Sequence, residues 1–152
     1  MRKLRFLCTV IVLLFYLPHL FSCTTFIISG KYTLDGKPIL FKNRDAGEMQ
    51  NSLVFFSDGK YKYIGLVNGN DAWNEEVWGG YNETGFAIIN SAAYNNNVGD
   101  TSKFIDQEGV VMKLALQKCK TLSNFEKLLE ALPKPLGVDA NFGEIVYDTI
   151  QY

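Results

Sequence analysis

Cys23-Thr24-Thr25-Phe26-Ile27-Ile28-Ser29-Gly30, followed after Asp35-Gly36 by Pro38-Ile39-Leu40-Phe41-Lys42-Asn43-Arg44-Asp45, is the stretch that decides the fold. Residues 24–29 are apolar and β-branched, residues 38–43 form a second short apolar run, and Asp35-Gly36 between them is a strong hairpin signal. A two-residue turn lays the end of one hairpin strand beside the start of the other. The polar tetrad Lys42-Asn43-Arg44-Asp45 is therefore expected next to Cys23.

Upstream of Cys23, the basic residues Arg2, Lys3 and Arg5 precede residues 6–21, which are apolar apart from Thr9, Pro18 and His19. That is the plan of a secretory signal peptide over residues 1–22. A membrane span prefers roughly 20 apolar residues, and this run is shorter and interrupted by Pro18. Cleavage after Ser22 would leave a thiol and a free α-amine on one residue. An α-amine titrates at about 7.7–8.0, so Cys23 would carry both a nucleophile and its base. Leu20-Phe21-Ser22-Cys23 also resembles a relaxed bacterial lipobox, in which the same sulfur would be linked to diacylglycerol and the chain would be a surface lipoprotein with a binding role. The two fates exclude each other, and the leader by itself leaves both open.

Loss of the leader removes Arg2, Lys3 and Arg5 and no acidic residue, moving the formal net charge from −1 to −4. A mildly acidic chain without basic runs offers no electrostatic case for nucleic acid. The single histidine, His19, leaves with the leader, so a Ser-His-Asp triad, a Cys-His pair and a His-ligated zinc site are excluded from the processed chain. Cys23 and Cys119 then remain, which is no disulfide framework, and Cys119 reads as a small buried apolar residue.

Downstream, residues 53–56 and 61–67 flank the turn Ser57-Asp58-Gly59-Lys60. Residues 77–81 and 85–90 flank Asn82-Glu83-Thr84-Gly85, where Gly85 suits a turn position of positive φ. The pattern predicts an antiparallel meander whose first strand starts at Cys23. The period then changes: Val110, Val111, Leu114, Ala115 and Cys119 follow helical spacing, as do Phe125, Leu128, Leu129 and Leu132. Ser123 and Glu126 have the spacing of a capping box for the second helix, Pro133 and Pro135 end it, and residues 141–148 read as one more strand. The expected fold class is α+β, an antiparallel sheet with helices on one face, in one domain over residues 23–152. A sheet that opens a further strand so near residue 152 is expected to belong to a longer fold, of which this chain is a fragment.

Several residues are candidates for chemistry. Cys23 is the nucleophile, Asp45 holds and polarises the α-ammonium, and Lys42 or Arg44 favours the thiolate by nearby positive charge. Asn90, closing a strand with Ser91, carries an amide able to donate to a developing oxyanion. The alternative reading of the tetrad is a solvated strand end, and of the asparagines ordinary turn and strand-end residues. Trp73, Trp78, Tyr81 and Tyr94 are candidates to line an apolar pocket, and Asn95-Asn96-Asn97 is a solvent loop at its rim.

Cys23-Thr24-Thr25, Asp35-Gly36, Lys42-Asn43-Arg44-Asp45, Asn82-Glu83-Thr84-Gly85-Phe86 and Asn90-Ser91, in this order and spacing, resemble the N-terminal half of the acyl-coenzyme A:6-aminopenicillanic acid acyltransferase family. More broadly the set is similar to the choloylglycine hydrolase and acid ceramidase group of N-terminal nucleophile hydrolases. The resemblance covers essentially all of the chain after residue 22. It implies a four-layer αββα sandwich and hydrolysis or acyl transfer at non-peptide linear amides, with a small-molecule amide as partner and no metal or organic cofactor. By position it implies Cys23 as nucleophile and base, Asp45 as partner of the α-amine, and Asn90 on the oxyanion side; Asn82 is a candidate for substrate binding together with Trp78, Tyr81 and Tyr94. The choloylglycine hydrolases carry Arg where this chain has Lys42, with Arg44 two residues on, so either cation is a candidate to serve the thiol. Members of the family are roughly twice as long, in keeping with a four-layer domain larger than a single small core. Their later strands supply a second Asn and an Arg to the site.

Overall fold

The computed structural model describes residues 23–92, 107–133 and 142–147, of which Ala92 and 142–147 by backbone alone. The leader, Tyr94 and the Asn95-Asn96-Asn97 loop lie outside the described residues. In chain order the elements are β1 (Thr24–Ile28), a 3-10 turn (Gly30–Tyr32), β2 (Ile39–Asn43), β3 (Asn51–Phe56), β4 (Tyr63–Asn68), β5 (Gly79–Asn82), β6 (Ala87–Ala92), α1 (Glu108–Lys118), α2 (Leu122–Ala131) and β7 (Phe142–Tyr147). Among the described residues the fold is α+β, with antiparallel sheets and two helices, as the change of period along the chain predicts.

β1 and β2 pair antiparallel with Thr24 opposite Asn43 and Thr25 opposite Lys42, which brings the tetrad to Cys23 as expected. The link between them is longer than the two-residue turn read from Asp35-Gly36. Ser29 caps the 3-10 turn, and the Thr33 hydroxyl donates to the Gly30 and Lys37 carbonyls, at 3.1 and 2.7 Å. These local hydrogen bonds stabilise a broad loop in which Asp35 and Gly36 are only one corner.

A second difference concerns the meander. The hairpin forms its own two-stranded sheet, and the five-stranded meander runs β3-β4-β5-β6-β7. The reason lies in the hairpin's two faces. Phe26 and Phe41 stack on one side with ring centroids 4.4 Å apart, while Ile27 opposite Leu40 occupies the other. Apolar side chains on both faces of the hairpin depart from the one-sided alternation expected of an edge strand in a half-solvated antiparallel sheet.

Alternation along the meander sorts its side chains. Phe56, Tyr63, Val67 and Ile88 turn to one face, where Val111, Met112, Ala115, Leu116 and Cys119 from α1 and Phe125 from α2 join them in one core. Complete burial of side chains such as Met112 or Leu116 contributes about 1.5–3 kcal/mol each. Gly80 permits the close approach of α1, since a Cβ there would lie 2.3 Å from the Ile64 oxygen and 2.9 Å from Leu116 Cδ1. Gly85 has φ +87°, as its turn position requires. Cys119 is buried as expected, and burial pushes its thiol up to about 11.

α2 is capped two residues earlier than Ser123 and Glu126 suggest. The Thr121 hydroxyl accepts from Asn124 N, and Asn124 Oδ1 accepts from Thr121 N, both at 3.2 Å. Thr121 has the extended backbone of an N-cap, so Ser123 falls inside the first turn. Phe125, Leu128, Leu129 and Leu132 still face the core.

The meander's other face is apolar and incompletely covered. Between it and the hairpin lies a groove of about 730 Å³, with Leu40 and Lys42 on the hairpin side and Leu53, Ile64, Leu66 and Ile89 on the sheet side. Leu53 is 75% exposed and Phe55 65%.

Candidate active site

One end of the two sheets collects polar side chains from distant stretches of the chain. Asn51 opens β3, Asn68 closes β4, Trp78 precedes β5, and Asn90 and Ser91 lie near the end of β6. Antiparallel order makes these positions neighbours, because each start of one strand adjoins the end of the next. The hairpin adds Cys23, Lys42, Arg44 and Asp45 to the same end.

Cys23, half-buried, meets two of these segments. Its Sγ donates to the Asp45 main-chain oxygen at 3.6 Å, and its own carbonyl accepts from Ser91 Oγ at 3.2 Å. The hairpin register and the β6 terminus thus fix the residue from both sides.

The two cations separate by environment. Arg44 donates to Asn51 Oδ1 and, at 2.6 Å, to Asn68 Oδ1, and its guanidinium lies 5.2 Å from the centre of the Trp78 ring. Asn51 and Asn68 are direct partners across β3 and β4, which sets their two amide oxygens side by side to suit Arg's planar fork. Lys42 reaches further in. Its Nζ donates to the Trp78 carbonyl at 2.8 Å and to Asn90 Oδ1, and Asn90 is 2% exposed. Burial is the main cause that pulls the Lys42 ammonium down from 10.5 to about 8; the nearby Cys23 opposes it, Arg44 adds to it, and Glu108 opposes it. Burial also lowers the Arg44 guanidinium from its ordinary value.

This arrangement makes stability depend on pH with a definite sign. The unfolded chain keeps the Lys42 proton to about 10.5, while the folded chain releases it near 8. Between these values the unfolded state binds more protons, so rising pH favours the fold, by at most about 3 kcal/mol. The urea midpoint, followed by tryptophan fluorescence, is expected to rise from pH 7.5 to pH 9.5 in the wild-type protein and to lose that rise in Lys42→Met. A flat wild-type profile, or the same rise in both proteins, would count against the buried ammonium.

The expected site residues divide on inspection. Cys23, Lys42, Arg44, Asp45, Trp78 and Asn90 come together. Tyr81 lines the groove between the layers instead. Asn82, expected to bind substrate, is 2% exposed and fully engaged in a structural network. Its Nδ2 donates to the Leu116 and Cys119 carbonyls at 2.9 and 2.8 Å. Its Oδ1 accepts from Thr84 N, Thr84 Oγ1 and Phe86 N at 3.1, 2.7 and 3.2 Å. The physical reason is position: Asn82 ends β5 at the turn, whereas Trp78 and the cysteine adjoin its start. Trp73 is exposed.

Asn51, Asn68 and Glu108 belong to the neighbourhood and were not legible as such. Glu108 is completely buried as the first residue of α1, where the helix dipole favours a carboxylate, and its charge bears on Lys42. Among the described residues no helix is long and apolar enough to cross a membrane. No protein-family model matches the chain, and neither the curated proteins nor the solved structures contain a match to it.

Proposed function

We propose that this chain is an exported cysteine hydrolase or acyltransferase of the N-terminal nucleophile kind, acting on a non-peptide linear amide through a thioester at Cys23. Removal of residues 1–22 frees the Cys23 α-amine, which takes the thiol proton as Sγ attacks the amide carbonyl. The Sγ–C bond forms, the oxyanion accepts from backbone N–H groups and the Asn90 NH2, and the C–N bond breaks as the proton passes to the leaving amine. Water then adds to the thioester, returning a proton through the α-amine to the thiol and releasing the acid; an acceptor amine in place of water gives transfer. In this reading the Asp45 carboxylate holds the ammonium, and the reaction draws on no metal or organic cofactor. The observation that carries it is the meeting of Cys23 with Lys42, Asp45, Asn90 and Ser91, from three stretches of chain, at one end of two stacked sheets.

The finer architecture belongs to the same proposal: the chain supplies the first half of an αββα sandwich. The hairpin, apolar on both faces, and the exposed apolar face of the meander support further layers on and beside them.

The deciding experiment is intact mass and N-terminal sequencing of the exported protein. A free Cys23 terminus is the expected result. A diacylglycerol adduct on Cys23, or an uncleaved leader, would sink the enzyme and favour a surface lipoprotein.

A further inference from the structure

Lys42 and Asn90 face each other in a way that assigns the atoms of the amide. An ammonium can only donate, so the Asn90 atom it meets is the carbonyl oxygen. The Asn90 NH2 must then point the other way, and among the described residues it meets no acceptor. Lys42 is itself held by the Trp78 carbonyl, so the pair is anchored to the start of β5 as well as to β6. Arg44, in contrast, donates to the amide oxygens of Asn51 and Asn68 and lies over the Trp78 ring, and among the described residues it makes no hydrogen bond to Asn90 or Ser91.

Resting on the reading of Cys23 as the nucleophile, we propose that Lys42 is a positioning residue that locks the Asn90 carboxamide with its NH2 offered to the oxyanion. A buried asparagine without such a lock has two orientations that differ by exchange of O and NH2, and only one donates toward the substrate. Lys42 excludes the other, because it would set the NH2 donors against an ammonium. The fixed donor then meets the developing charge without reorganisation, which is where an oxyanion site gains most. This gives the two cations separate tasks: Arg44 ties the strand ends together, and Lys42 orients the donor.

The test uses the exported protein and a medium-chain acyl p-nitroanilide as probe, in wild type, Lys42→Met, Asn90→Asp and the double variant. Asn90→Asp keeps the oxygen that Lys42 binds and removes only the NH2, so it leaves no gap in the fold. Each single variant is expected to lower kcat about 10²-fold, with KM changed by no more than about twofold, and the double variant to fall no lower than the worse single one. Lys42→Arg, still able to donate to Oδ1, recovers a substantial part of kcat. Losses that multiply in the double variant overturn the proposal.

Urea midpoints of wild type, Lys42→Met, Asn90→Leu and their double variant need no turnover, and Asn90→Leu removes the oxygen that Asn90→Asp keeps. Single effects that fail to add support the lock, and additive effects overturn it. A wild-type protein with coupled midpoints that hydrolyses no amide defeats the enzymatic reading alone and leaves the Lys42–Asn90 lock standing.

Discussion

Cys23→Ala in the exported, processed protein is expected to lower amide turnover on the order of 10⁴-fold or more while moving the unfolding midpoint by no more than a few degrees. The two halves of that result have separate causes. The side chain is half-buried and its thiol hydrogen bond to the Asp45 carbonyl, at 3.6 Å, is weak, so a change to alanine is expected to disturb the fold little. Chemistry is another matter, because the sulfur forms the bond that splits amide cleavage into two easier steps. What survives in the alanine variant is binding and whatever the oxyanion donors give to direct attack by water. Acid quenching during turnover should trap an acyl adduct on Cys23 in the wild-type protein, visible as a mass increase equal to the acyl group, and none in the variant. Retention of a tenth of wild-type turnover by Cys23→Ala would remove the nucleophile assignment. So would an adduct that persists on another residue.

The hairpin and its consequence were legible because they depend on short range. The apolar runs and the intervening turn signal require β2 to return antiparallel on β1, and any such return puts Lys42 to Asp45 beside Cys23, whatever the exact loop. That is why the longer link through the 3-10 turn left the outcome unchanged. Asn90 was legible as the end of a strand, but its lock to Lys42 was not, since nothing local in the sequence relates residues 48 positions apart. Asn51 and Asn68 were hidden by register. A turn of Ser57-Asp58-Gly59-Lys60 alone would bring Asn51 opposite Leu66, whereas the observed link is two residues longer and pairs it with Asn68. A shift of two keeps every side chain on its face, so the apolar pattern cannot reveal it. The separation of the hairpin from the meander was hidden for the opposite reason: the strand pattern shows which residues are apolar but not which sheet they join. Asn82 misled because an asparagine in a turn motif has the same appearance whether its amide faces a substrate or a helix end.

That helix end makes Asn82→Ala the largest expected loss of stability in the chain. The last carbonyls of α1 have no partner within the helix. Ala115 O accepts from Cys119 N and Gln117 O from Tyr61 N, while Leu116 O and the following Cys119 O accept from the Asn82 NH2. On its other side the amide oxygen gathers Thr84 N, Thr84 Oγ1 and Phe86 N, closing the β5–β6 turn. One side chain therefore joins turn, sheet and helix, and its removal strands buried donors and acceptors on both sides. Each stranded buried group costs about 1–3 kcal/mol, and because the groups relax together the expected total is about 4 kcal/mol. Against a typical stability of about 5–15 kcal/mol this is a large fraction, and it should appear as a fall of roughly 15 °C in the midpoint followed by circular dichroism. Asn82→Asp separates the two halves of the network. It keeps the oxygen for the turn but sets a carboxylate against two carbonyls, and so is expected to destabilise at neutral pH at least as much as alanine. A loss below about 1.5 kcal/mol in Asn82→Ala would mean that water or a shifted turn satisfies these groups, and the junction between helix and sheet would have to be sought elsewhere.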